Sequence, residues 1–128
     1  MDRPPILVVD DDPLVLQFLK DALTRAGHSV QACDRFEDAK AALTASRPSL
    51  LLTDVRLGAY NGLQLALVAS LKYPGIPIIG LTGYDDPTLR DEAARSGATF
   101  VMKPLALDDL IARIDAALGK TKGLEVGD

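Results

Sequence analysis

Three aspartates, a threonine and a lysine stand where they can do chemistry. Asp10 and Asp11 follow the apolar run Ile6–Val9, and Asp54 follows Leu50–Thr53. Thr82 follows Ile76–Leu81, and Lys103 follows Thr99–Met102. Carboxylates that meet repel one another: two unit charges ~4 Å apart cost about 1 kcal/mol in water and about 4 kcal/mol at an effective dielectric of ~20. If Asp10, Asp11 and Asp54 converge, the site calls for protons or a cation. A hard divalent ion is the simplest answer, because magnesium takes one or two carboxylates, waters and phosphate oxygens. Lys103 adds a movable point charge suited to phosphate. The Thr82 hydroxyl can donate one hydrogen bond to a phosphoryl oxygen. A carboxylate can also act as a nucleophile and form an aspartyl-phosphate. The set reads as phosphoryl transfer onto an aspartate, promoted by positioning and charge neutralisation.

The elements that must position these residues alternate along the chain. The short runs Ile6–Val9, Val30–Cys33, Leu50–Thr53, Ile76–Leu81 and Thr99–Met102 are rich in Val, Ile and Leu. Several are apolar at consecutive positions, as expected of strands buried on both faces of a parallel sheet. Between them lie helical patterns with recognisable ends. Asp12-Pro13 reads as N-cap and first-turn proline, Gly27 closes that helix, and Val15, Leu19, Ala22, Leu23 and Ala26 form its apolar stripe. Asp34 and Glu37 have the spacing of a capping-box variant opening a second helix. A third runs from Gly62 to Lys72 and stops at Tyr73-Pro74-Gly75. Asp86-Pro87 opens a fourth, closed by Gly97, and a fifth spans Leu107–Leu118 before Gly119. Five βα units make an α/β, doubly wound, five-stranded parallel sheet with right-handed crossovers and helices on both faces. Ligands then bind at the carboxyl ends of the strands, near a topological switch point. Residues 1–119 form the domain, and the polar 120–128 are a tail or the start of a linker.

The chain has 128 residues, 48% hydrophobic and 25% charged, which fits one domain with a single real core and excludes a disordered chain. Its net charge of −4 argues against direct binding of nucleic acid or an anionic membrane, since phosphate contacts need a basic face. The single cysteine, Cys33, excludes an internal disulfide and fits a reducing compartment. No stretch approaches the roughly 20 apolar residues of a membrane span, and no secretory signal is visible. A cytoplasmic location follows as the expectation.

The motifs ILVVDDDPLV, LLLTDVRLGAYNGLQLA, IIGLTGYDD and GATFVMKPL together resemble the receiver domain of bacterial two-component response regulators, over residues 5 to about 118. The resemblance implies a flavodoxin-like fold with strand order 2-1-3-4-5. It implies that Asp54 is the phosphoacceptor, taking its phosphoryl group from the phosphohistidine of a sensor histidine kinase or phosphotransfer protein. Asp10 and Asp11 would be the acidic pair holding Mg2+, or Mn2+ in its place, with Asp54 and the backbone carbonyl of Arg56. Thr82 and Lys103 would contact the phosphoryl group, and Phe100 occupies the switch-aromatic position. The Lys103-Pro104 bond would be cis. The only activity implied is metal-dependent self-phosphorylation and self-dephosphorylation. The output would be a changed surface of the fourth helix, fifth strand and fifth helix, read by a downstream protein or output domain. Departures from the family pattern are Leu57-Gly58-Ala59, which lacks a proline and implies a more mobile loop, Gly83 in place of alanine, and Phe100 in place of tyrosine. Arg56 and Tyr84 stand at positions that modulate dephosphorylation in the family.

Plainer readings apply to other residues. Asp12 is an N-cap rather than a ligand. His28 is a surface residue of the turn Gly27-His28-Ser29, Cys33 a small core hydrophobe, and Asp108, Asp109, Arg113 and Asp115 a solvated helix face. Two competing functions are a phosphohydrolase and a non-catalytic module, the latter either a flavin carrier or a scaffold that ignores its phosphate state. Asp10-x-Asp12 resembles the nucleophile loop of haloacid-dehalogenase-type phosphatases, but Pro13-Leu14 replaces their Gly-Thr. A flavin carrier needs a phosphate loop after the first strand, where the acids Asp10–Asp12 would repel one.

Overall fold

The computed structural model describes residues 4–57, 60–83, 87–103 and 106–119. Among these residues the elements run β1 (Ile6–Val9), α1 (Pro13–Arg25), β2 (Val30–Cys33), α2 (Phe36–Ala45), β3 (Leu50–Asp54), β4 (Arg56–Leu57), β5 (Tyr60–Asn61), α3 (Gly62–Lys72), β6 (Ile78–Thr82), α4 (Pro87–Ser96), β7 (Thr99–Met102) and α5 (Leu107–Ala117). The main sheet has the order β2-β1-β3-β6-β7, and all its pairings are parallel. Counting its own five strands, that is 2-1-3-4-5, as the resemblance implied.

The consecutive apolar runs are explained by two cores, one on each face of the sheet. Leu7, Val9 and Leu51 point into a core with Ala39 and Leu43 of α2 and Leu65, Ala66 and Ala69 of α3. Ile6, Val8, Leu50 and Leu52 point the other way, against Leu19 and Leu23 of α1 and Leu110 and Ile114 of α5. Successive strand residues face opposite sides, so a strand covered on both faces must be apolar at every position. α4 packs beside α3 and β7. Among the described residues no helix is long and apolar enough to cross a membrane.

The ends of α1 follow the local rules. Asp12 accepts from the Leu14 and Val15 N–H groups, Pro13 takes the first helical position, and Gly27 turns the chain at φ 95°. That conformation favours glycine, which has no Cβ to clash. α3 begins at Gly62 with a capping box: Asn61 Oδ1 accepts the Leu63 N–H at 2.8 Å and Gln64 Oε1 accepts the Asn61 N–H at 3.2 Å.

Several expectations are corrected. The second helix is not opened by Asp34 and Glu37. It starts at Phe36 after an extended Arg35 with no side-chain cap, and Asp34 lies in the bend leaving β2, one residue before the N-cap position. Glu37 and Asp38 instead lie in its first turn, where negative charge suits the helix dipole. The fourth run of the sheet pairs from Ile78 to Thr82, not Ile76 to Leu81, since Pro77 has no N–H to donate to a ladder. His28 is buried rather than at the surface: its ring is 5% exposed and its Nε2 lies 2.9 Å from Asp115 Oδ1. Asp115 is therefore a pairing residue, and α5 is pinned to the turn after α1. Cys33 is in the core, as expected.

Candidate functional site

The switch point lies where the chain turns outward in both directions, between β1 and β3. Ligands gather at such a point because the two following connections leave on opposite faces and open a crevice. β1 and β3 pair Val9 with Thr53, which sets Asp10 beside Asp54 at the carboxyl edge. β3 and β6 pair Asp54 with Leu81, so Thr82 is one residue beyond. β6 and β7 pair Thr82 with Met102, so Lys103 is one beyond that. The Lys103 N–H also donates to the Thr82 carbonyl at 2.6 Å.

The side chains converge accordingly. One ligand oxygen each from Asp10, Asp11 and Asp54 lies within 4.8 Å of the others, the only such cluster among the described residues. Lys103 Nζ is 3.2 Å from Asp54 Oδ1. Asp10 is 2% exposed, Asp54 is partly buried, and Asp11 is exposed. Asp10 Oδ1 accepts the Asp12 N–H at 2.9 Å, while its Oδ2 is buried with no hydrogen-bond partner among the described residues. Burial pushes the Asp10 carboxyl above its usual range; the Asp12 N–H pulls it back and the Asp54 charge adds to the rise. Burial also raises the Asp54 carboxyl, against the pull of the Lys103 ammonium. A buried, unsatisfied carboxylate oxygen facing two further carboxylates is an oxygen-donor set of the kind that suits Mg2+ or Mn2+.

The other expected residues fall around this cluster. Thr82 is buried at its strand end. Arg56 is exposed and begins a small antiparallel ribbon in which Arg56 pairs with Asn61 and Leu57 with Tyr60. Leu57, part of the loop expected to be mobile, is buried in that ribbon, and Gly58 and Ala59 lie outside the described residues. Phe100 is partly buried against the α2–α3 core, opposite Gly80 in register. Tyr84 and the Lys103-Pro104 peptide, whose cis form was expected, lie outside the described residues. The Asp12 side chain serves as the α1 N-cap, and its contact with the cluster is the backbone N–H on Asp10 Oδ1. Sequence reasoning missed two neighbours of Asp54. The Thr53 hydroxyl donates to the Asp54 carbonyl at 2.9 Å. Gly62 lies against that same carbonyl, where a Cβ would overlap it. The Asn61-Gly62 pair was a turn signal, but nothing local told where the glycine would press.

Comparison with known proteins points to one family. The profile of the response regulator receiver domain matches residues 6–115. The DNA-binding transcriptional regulator NtrC of Proteus hauseri is 32% identical over 119 residues, covering 92% of this chain and 25% of NtrC. The response regulator protein FleR of Pseudomonas aeruginosa is 36% identical over 124 residues, covering 94% of this chain and 26% of FleR. The chain thus spans about a quarter of the length of these relatives. Among solved structures, a CheY-like receiver domain protein from Methanospirillum hungatei JF-1 superposes with a TM-score of 0.87 at 28% identity, covering 93% of this chain and 96% of the other.

Proposed function

The chain belongs to the response regulator receiver domain family, and on that premise we propose that it accepts a phosphoryl group on Asp54 from the phosphohistidine of a sensor histidine kinase or phosphotransfer protein. The observation that carries this reading is the convergence of Asp10, Asp11 and Asp54 within 4.8 Å, with Lys103 on Asp54 at 3.2 Å. An Asp54 oxygen attacks phosphorus, the P–N bond breaks, its electron pair leaves on the imidazole, and an acyl phosphate forms. Lys103 orients the carboxylate in the free protein and offers its charge to the phosphoryl oxygens afterwards. Thr82 supplies a hydroxyl donor. Asp10, Asp11, Asp54 and the Arg56 carbonyl would hold Mg2+ or Mn2+, which supplies charge neutralisation between carboxylates and phosphoryl oxygens.

The signal leaves through the α4–β7–α5 face. Thr82 is bonded through its carbonyl to Lys103 at the end of β7, and Phe100 lies on the same strand. A phosphoryl group that draws on Thr82 biases that strand and its neighbours, and a downstream protein or output domain reads the change. This domain itself makes protein contacts and no direct nucleic-acid contact, given its acidic balance. We place the domain in the cytoplasm, where the free Cys33 thiol is kept reduced.

The test is intact-mass spectrometry of the purified domain mixed with acetyl phosphate and MgCl2. Wild type gains one phosphoryl group, and Asp54→Asn gains none. No adduct on wild type, or an undiminished one on Asp54→Asn, overturns the reading.

A further inference from the structure

The peptide joining Asp54 to Val55 is held from three sides. Its carbonyl oxygen accepts the Thr53 hydroxyl at 2.9 Å. Its N–H donates to the Leu81 carbonyl on β6 at 2.9 Å. Gly62, the first residue of α3, closes the third side. A Cβ on Gly62 would overlap the Asp54 carbonyl oxygen and stand 2.9 Å from Thr53 Oγ1. The Gly62 N–H donates to the Val55 carbonyl at 2.6 Å, and the β4–β5 ribbon returns the chain to this point. The Asn61 capping box anchors the helix end that bears Gly62. Thr53 is fully buried, so its hydroxyl has to find a protein partner.

From this arrangement we propose that Thr53 and Gly62 are positioning residues for the acceptor. The proposal rests on Asp54 being the phosphoacceptor. By fixing the plane of the Asp54–Val55 peptide, they set the direction in which the Asp54 side chain leaves the backbone. That direction decides whether the carboxylate meets Lys103 and the Asp10–Asp11 pair in an attacking geometry. Neither residue touches the phosphoryl group. Their effect is orientational, and displacement of a reacting group by ~1 Å costs about 100-fold in rate. The glycine is required here for close approach rather than for an unusual φ, since α3 starts on it with ordinary helical geometry.

The experiment compares Thr53→Val, Thr53→Ser and Gly62→Ala in acetyl phosphate reactions followed by intact mass, with saturating MgCl2. Valine keeps the shape of threonine and removes the hydroxyl; serine keeps the hydroxyl. Reactions run well below each variant's melting temperature, so that the rate per folded molecule is read. Thr53→Val lowers the rate at saturating donor about tenfold while the half-saturating donor concentration stays put, and Thr53→Ser stays within about twofold of wild type. Gly62→Ala, if it folds, loses about 100-fold; if it does not, the Thr53 pair decides. A role in stability alone moves the melting temperature and leaves these rates equal. Thr53→Val at the wild-type rate, or Thr53→Ser as slow as Thr53→Val, overturns the proposal with Asp54 still phosphorylated. Absence of any adduct on wild type overturns the Asp54 reading and this inference with it.

Discussion

Replacing Asp10 by asparagine should stabilise the metal-free domain at neutral pH. The side chain is 2% exposed, and its Oδ2 has no hydrogen-bond partner among the described residues. Its ligand oxygen lies within 4.8 Å of those of Asp11 and Asp54. At that separation and an effective dielectric of ~20, the Asp10–Asp54 repulsion alone is about 3.5 kcal/mol. Lys103 offsets part of it from 3.2 Å away, and the exposed Asp11 adds only a water-screened contribution. Asparagine is isosteric, keeps an acceptor for the Asp12 N–H, and offers a donor where Oδ2 stood. A gain of about 1–2 kcal/mol is expected, which for a domain of this size raises Tm by about 3–8 °C. The pH dependence follows from the raised Asp10 carboxyl. Below the ordinary value of 3.8 the group is protonated folded and unfolded, so wild type carries no penalty. Above the raised folded value it is ionised in both states, and the penalty is complete. The advantage of Asp10→Asn is therefore absent below 3.8, grows as pH rises toward the folded value, and is complete above it. Magnesium acts oppositely. It stabilises whichever chain binds it, by about 1.4 kcal/mol at ten times Kd, and Asp10→Asn lacks a ligand. Thermal melts by circular dichroism in EDTA and in MgCl2, across a pH series, read all three effects. A variant that melts no higher than wild type at pH 7.5 in EDTA, or one whose advantage persists at pH 3.5, would refute the electrostatic account of this site.

Two further predictions concern residues outside the acidic cluster. Asp115→Ala removes the partner of a buried histidine ring and should cost about 1 kcal/mol, discounted because Asp115 is itself partly exposed. The measurement is a lower urea midpoint at unchanged slope, with the rate of adduct formation from acetyl phosphate unaltered. Leu14 and Phe18 stand one turn apart on α1, just after the acidic cluster, and are 81% and 58% exposed. An apolar pair left in water beside a reaction site suits a docking partner, so Leu14→Ser with Phe18→Ser should slow transfer from a phosphohistidine protein at least tenfold. The acetyl phosphate rate, which needs no docking, should not change; equal slowing of both reactions would show damage to the site rather than to docking.

Short-range rules account for what was legible in the chain. Asp12-Pro13 and Gly27 mark the ends of α1 because capping and a positive φ involve only neighbouring residues. The runs Ile6–Val9 and Leu50–Leu52 announced strands buried on both faces, and so a parallel sheet with its ligand crevice at the carboxyl ends. The same local logic failed at Asp34 and Glu37, where the required spacing was present but the helix begins one residue too late for Asp34 to cap it. It failed again at Ile76–Pro77, where hydropathy continued but the hydrogen-bonding ladder did not.

The sequence by itself determined the five main strands and five helices, the parallel sheet they must form, and that three acids, a hydroxyl and a lysine end its strands. Only the tertiary structure decided the distances that turn those residues into a site. Asp54 and Lys103 are separated by 49 positions, and His28 and Asp115 by 87. No local preference acts over such intervals; register across the sheet and packing of its two cores bring the partners together. The seating of Gly62 on the Asp54 carbonyl belongs to the same class. A glycine after an N-cap announces a turn in any sequence, but which backbone it approaches depends on how the whole helix is laid against the sheet.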